Sequence, residues 1–239
     1  MATKIKGTIS VSIQDKQILN DIAVDFEQWK NYCLVGKNGS GKSTLLAAIM
    51  WNPSYEVTWS LEIWDTDLLS MKVHERAKLW IFCAFQSIPD IPWVKLFEFL
   101  RTIYNARFWS SQTFLSFKKI IEPLVAQFDI DREFLFRDVN VWFSGGERRK
   151  LEVLQIALLK PTWIMLDEID SWLDINAFKT IATYLRSIDS LEVSFIIVTH
   201  YFEILQYITI DTVIIMKDWS IIQQWWNELI DTIQSQWFE

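Results

Sequence analysis

Gly36-Lys37-Asn38-Gly39-Ser40-Gly41-Lys42-Ser43-Thr44 reads G-x-x-x-x-G-K-S, the spacing of a phosphate-binding loop, or P-loop. The apolar run Tyr32 to Val35 precedes it, and a helix-compatible run, Thr44 to Met50, follows. A loop of this kind between a strand and a helix binds phosphate for stated reasons. The glycines Gly36, Gly39 and Gly41 let backbone N–H groups curl round an anion, Asn38, Ser40 and Thr44 belong to the same nucleotide-binding loop, and the helix N-terminus adds partial positive charge. Lys42 can reach the outer phosphates, and the Ser43 hydroxyl suits Mg²⁺. The alternative, a glycine-rich turn that binds nothing, does not account for the strand before it and the helix after it. The implied ligand is a nucleoside triphosphate.

Two more segments carry chemistry. Phe143-Ser144-Gly145-Gly146-Glu147 leads into an amphipathic helix over 151–159, so Ser144 and the glycines form a second anion cradle at a helix start. Alone, this is equally a helix cap. Further on, Ile164-Met165-Leu166-Asp167-Glu168 reads as a buried strand ending in two acids. Asp167 suits a Mg²⁺ ligand, and Glu168 suits the group that orients an attacking water.

In this order the three segments resemble the ATP-binding cassette (ABC) ATPase family, over nearly the whole chain. The resemblance implies further roles. Gln86 matches a glutamine that senses Mg²⁺ and the γ-phosphate. Ser171-Trp172-Leu173-Asp174 matches the D-loop, and His200 a switch residue on the γ-phosphate. His74 lies in a charged segment and reads as a surface residue. Pro53 to Thr58, Phe85 to Pro89, Asp167 to Ser171 and Thr199 to Tyr201 are similar to the SufC group of that family, which serves SUF iron–sulfur cluster assembly. The implied assembly is a head-to-tail ATP-dependent dimer. Lys42, Ser43, Gln86, Asp167 and His200 of one copy hold MgATP, and Ser144, Gly145, Gly146 and Glu147 of the other close on it. The implied partners are SufB- and SufD-like scaffold proteins. Two rivals stand beside this reading: the nucleotide-binding subunit of a membrane transporter, and a non-catalytic ATP-binding module.

The composition is unusual, with 14 Trp against 6 Gly in 239 residues. At a usual glycine share of roughly 7%, about 17 would be expected. Trp219 follows Lys217-Asp218 between two apolar runs, a turn that asks for positive φ. Trp29 occupies a similar turn. Trp142 and Trp172 stand where the resemblance expects glycine, as do Trp51, Trp80, Trp93 and Trp237. Trp59, Trp64, Trp225 and Trp226 read as turn-like, while Trp109 and Trp163 have no assigned place. UGA is read as Trp in some genetic codes and as Gly in others, so many of these residues are expected to be glycine in the cell. A genuine Trp-rich contact surface is the alternative.

Net charge is −7 and the isoelectric point about 5.0, which argues against nucleic acid as a partner. No apolar run approaches the roughly 18 residues a membrane span needs. The first residues are polar, without the apolar core of a secretion signal, and two free cysteines fit a reducing cytoplasm, the expected compartment. Cys33 and Cys83 lie in apolar stretches without a C-x-x-C neighbour and read as buried hydrophobes rather than metal ligands.

Residues 4–13, 18–26 and 55–63 alternate as antiparallel strands, with Ile18, Leu19 and Ile22 facing a core. The resemblance places an adenine-stacking aromatic near residue 13, and Val11-Ser12-Ile13-Gln14 supplies none. Over 87–140 the pattern is helical, with Phe114, Phe117, Ile121, Leu124 and Phe128 as the apolar stripe. Strands are expected near 162–167, 194–199 and 210–217, and over 225–237 a helix if its Trp pair is taken literally, or a turn plus helix if the pair is Gly-Gly. The expected fold is α/β: a single ABC-type domain whose mostly parallel core sheet and antiparallel layer occupy 1–86 and 141–239. A helical subdomain is inserted at 87–140.

Overall fold

A computed structural model describes residues 4–50, 52, 54–169, 173–189, 192–199 and 202–226. In chain order the elements begin with β1 (Lys4–Ile13), β2 (Lys16–Glu27), β3 (Tyr32–Val35), α1 (Lys42–Ile49), β4 (Glu56–Ile63), β5 (Thr66–Asp67), α2 (Val73–Arg76) and β6 (Ile81–Ala84). There follow β7 (Ile91–Lys95), α3 (Leu96–Phe108), α4 (Phe114–Gln127), β8 (Asp138–Val139) and α5 (Gly145–Leu159). The series closes with β9 (Trp163–Asp167), α6 (Ile175–Asp189), β10 (Ser194–Val198), β11 (Thr212–Lys217) and β12 (Ser220–Trp226). They fall into two compact units. One holds the described residues up to Gln86, Thr162–Ile169 and those from Leu185 onward; the other holds Ser87–Pro161 and the described part of 170–184.

The first unit contains two sheets. One is antiparallel, in the order β2-β1-β4-β5. The other runs β12-β11-β3-β10-β9-β6 and is parallel from β11 to β6, with β12 added antiparallel at the edge. Every residue of β3, β9 and β10 is buried, so these strands read as unbroken apolar runs rather than alternating ones. Leu34, Leu45, Ile49, Met165, Ile196 and Ile214 share one core with Ile9, Leu19, Ile22 and Leu61. Ile18, expected in that core, is only half-buried: alternation along β2 turns Leu19 inward and Ile18 the other way. Cys33 is buried as expected, but Cys83 is half-buried.

The second unit is less purely helical than its periodicity suggests, because β7 pairs with β8. Along α4 the buried residues are Phe117, Ile121 and Val125, continued by Phe128. Leu124 is half-buried and Phe114 is 44% exposed, so the stripe lies one residue off the expected one at its C-terminal end. Phe97 of α3 meets Phe114 and Phe117 at ring distances of 4.4 and 5.3 Å. This unit begins at Ser87 and runs past 140 through α5, and α6 crosses its border between Tyr184 and Leu185.

The tryptophans divide by backbone. Trp29, Trp64, Trp80, Trp93, Trp109, Trp142 and Trp219 all have φ between +49° and +67°. Trp59, Trp225 and Trp226, expected in turns, lie in β4 and β12, where the ladders to β1 and β11 hold them extended. The helix expected from 225 therefore does not start there. Trp51, Trp172 and Trp237 lie outside the described residues. Among the described residues no helix is long and apolar enough to cross a membrane.

Candidate nucleotide-binding site

The P-loop leaves the carboxyl end of β3 and enters α1, where parallel α/β sheets place their ligands. Two glycines are required there. A Cβ on Gly36 would sit 2.2 Å from the Met216 carbonyl oxygen, and Gly41 turns the chain into α1 at φ +101°. No acidic side chain occupies the first turn of α1, so its N-terminal N–H groups keep their partial positive charge for an anion.

Lys42 is 5% exposed. Its Nζ donates to the Gly36 carbonyl at 2.7 Å and the Lys37 carbonyl at 3.2 Å, holding the loop curled. Burial pushes its pKa below the ordinary lysine value, while Glu168 and Asp167 pull the other way. The Ser43 hydroxyl donates to Asp167 Oδ1 at 3.0 Å, which joins the first turn of α1 to the end of β9. Asp167 is buried. The next residue, Glu168, adopts φ +52°, and its N–H donates to the Val198 carbonyl at 2.8 Å. Its Oε2 accepts from Gln86 Nε2 at 2.9 Å. Lys42, Ser43, Gln86, Asp167 and Glu168, separate in sequence, are thus linked in space.

Lys42, Ser43, Gln86 and Glu168 line a cleft of about 550 Å³ together with Asn38, Gly39, Gly41 and Thr44, and Asp167 lies behind Ser43. Lys16, Ile18 and Trp219 complete the lining. No pattern in the chain points to Lys16, which reaches the cleft through the tight β1–β2 hairpin. Ile18 was legible only as an apolar residue. Trp219 Nε1 donates to the Gly39 carbonyl at 3.0 Å, so an indole edges the loop at its most permissive glycine. Ser40 Oγ is buried without a partner among the described residues, a polar atom directed into the loop.

Ser144, Gly145, Gly146 and Glu147 belong to the second unit and open α5. Ser144 Oγ accepts from the Glu147 N–H at 3.3 Å, and Glu147 Oε2 accepts from the Ser144 N–H at 2.7 Å. The segment is a reciprocal helix cap, with Ser144 and Gly145 exposed. Asp174 caps α6, its Oδ1 accepting from the N–H groups of Asn176 and Ala177 at 2.9 and 2.8 Å. His200 and Ser171 lie outside the described residues. His74 is exposed on α2, as expected.

The family profile described as ABC transporter matches residues 19–171. The chain is 39% identical over 233 residues to the probable ATP-dependent transporter SufC of Escherichia coli K12, covering 95% of this chain and 94% of that one. It is 40% identical over 219 residues to the probable ATP-dependent transporter ycf16 of Antithamnion sp., covering 90% and 87%. The dimeric, post-hydrolysis ATP-binding cassette MJ0796 bound to ADP and Pi superposes with a TM-score of 0.78 at 17% identity, over 94% of this chain and 98% of that one. That likeness concerns the fold. Loop, paired acids and sequence kinship converge: the chain belongs to the ABC ATPase family, as an ATP-binding, ATP-hydrolysing member of SufC type.

Proposed function

We propose that this ATPase drives iron–sulfur cluster assembly on SufB- and SufD-like scaffold proteins in the cytoplasm, working as an ATP-dependent head-to-tail pair. The supporting observation is the linked set Lys42, Ser43, Asp167, Glu168 and Gln86 around the P-loop, in a chain kin to SufC along almost its full length. The donor set fits Mg²⁺. Ser43 Oγ and Asp167 Oδ1 are hard oxygens 3.0 Å apart, the donor type Mg²⁺ takes, and Asp167 would hold the ion partly through water. The Gln86 amide oxygen is a third candidate. Bound there, the ion neutralises charge on the phosphates.

The chain's own groups do the rest. The P-loop N–H groups and Lys42 hold the β- and γ-phosphates. Glu168, released from Gln86, orients a water toward the γ-phosphorus. His200 contacts the γ-phosphate. The Ser144-Gly145-Gly146-Glu147 cap of a second copy closes the site, and Ser171 and Asp174 lie along the pair's seam. Catalysis is positioning and charge stabilisation of phosphoryl transfer to water. The helical subdomain from Ser87 carries the motion to the scaffold.

A Glu168→Gln variant retains ATP and loses turnover by ~10²–10⁴-fold; unchanged turnover removes Glu168 from the reaction. Affinity capture from the native source tests the partner. A soluble scaffold recovered with the chain supports the proposal, and a polytopic permease in its place assigns the chain to transport.

A further inference from the structure

We infer that positions 29, 64, 80, 93, 109, 142 and 219 are glycine in the protein as its own cell makes it, each encoded by UGA. The backbone selects these seven. All are left-handed, with φ of +67°, +49°, +59°, +67°, +49°, +63° and +64°. That region suits glycine, is tolerated by asparagine and aspartate, and is an outlier for a bulky aromatic.

Three of the positions perform jobs with known residue demands. β4 and β5 are joined by the two residues Trp64-Asp65, and β11 and β12 by Asp218-Trp219. Both residues of each pair have positive φ, which marks the turn that selects Asn-Gly, Asp-Gly and their kin. Asp218-Trp219 becomes Asp-Gly under the inference. Trp109 closes α3 at φ +49°, ψ +38°, its N–H donating to the Asn105 carbonyl, the place and bond of a helix-ending glycine.

The side chains add a second observation. Trp93, Trp142 and Trp109 are 92%, 88% and 86% exposed, so these large indoles gain little burial. Six of the seven are scattered one by one over turns and element ends, Trp93 lies within the short strand β7, and no two of them are adjacent in sequence. Trp163 is the contrast: it lies within β9, extended and fully buried. Geometry therefore divides the tryptophans into two populations, as two codons would.

The test is independent of ATP turnover and of the proposed function. Tryptic peptides Gln17–Lys30, Phe108–Lys118 and Asp138–Arg148 from the native source are sequenced by mass spectrometry, with the peptide spanning Trp163. The expected result is a loss of one tryptophan-to-glycine mass difference in each of the three, with tryptophan retained at 163. Tryptophan at any of positions 29, 109 or 142 overturns the inference. Glycine at 163 as well overturns the claim that backbone geometry picks out the recoded positions.

Discussion

Ser43 and Glu27 show how differently two polar contacts matter. Ser43 Oγ touches a buried carboxylate, Asp167, at 3.0 Å, in a place where water does not compete freely. A hydrogen bond to a charged group of this kind contributes about 1.5–3 kcal/mol, which corresponds to roughly 10–100-fold in an equilibrium. Ser43→Ala is expected to raise the Mg²⁺ concentration for half-maximal turnover by that factor, read by titrating the ion at saturating ATP; an unchanged midpoint removes Ser43 from the ion's site. Glu27 lies between Lys30 and Lys4, each ammonium 2.6 Å from a carboxylate oxygen. The hydrogen bond from Lys30, then that from Lys4, holds its pKa down to about 2 from 4.5. A folded-state pKa below the unfolded one means stability present above pH 4.5 and lost as pH falls toward 2. Glu27→Gln should therefore flatten the acid-unfolding curve in that window. Because water still reaches all three groups, which are half-buried, added salt should shrink the difference. Equal curves for both proteins would show that the pair contributes nothing. At this scale the P-loop was legible outright, since its glycines and Lys42 fall within one short stretch of chain. Lys16 was not, because a hairpin delivers it.

Elements tell a different story about what can be read. The strands β3, β9 and β10 were legible because burial on both faces leaves an unbroken apolar run. The pairing of β7 with β8 was not, because β7 holds five residues and begins Ile91-Pro92, too short for alternation to show. In α4 the stripe was displaced because Leu124 and Val125 are both apolar, and only packing chooses Val125. Buried polar residues inside an element are harder still. In α5, Arg149 and Glu152 are 2% and 7% exposed at their side chains and meet at 2.6 Å, one turn apart. Removing one partner of a buried pair leaves a charge without its counterpart, at about 3–5 kcal/mol. Glu152→Leu is expected to destabilise by that amount in urea unfolding, whereas Arg149→Met with Glu152→Leu should recover most of the loss. Failure of the double variant to recover would show that the pair's other contacts, not its mutual charge, hold α5. A second buried cation, Arg76, caps α1 from α2 by donating to the Ala48 and Ile49 carbonyls at 3.1 and 2.8 Å, and burial pushes its pKa down to about 10.

Across the whole molecule, seven left-handed tryptophans act on total stability. Left-handed backbone costs a residue with a side chain about 1–2 kcal/mol, so seven positions amount to about 7–14 kcal/mol. That is the size of an entire domain's stability, about 5–15 kcal/mol. Glycine does not recover all of it, because its unfolded state is freer by about 0.5–1 kcal/mol per site. The net gain from restoring seven glycines then centres on about 5 kcal/mol. For a chain of this length 1 kcal/mol moves the melting temperature by about 2–4 °C, which puts the expected rise at roughly 10–20 °C. The comparison is between the chain as written and one carrying Trp29→Gly, Trp64→Gly, Trp80→Gly, Trp93→Gly, Trp109→Gly, Trp142→Gly and Trp219→Gly, both made with the standard code and followed by calorimetry. Trp163→Gly is the opposite control: it empties a fully buried volume in β9 and should lower the melting temperature. If the sevenfold variant melts no higher than the chain as written, the turns accept their indoles without strain, and backbone geometry loses its standing as a guide to the true residue.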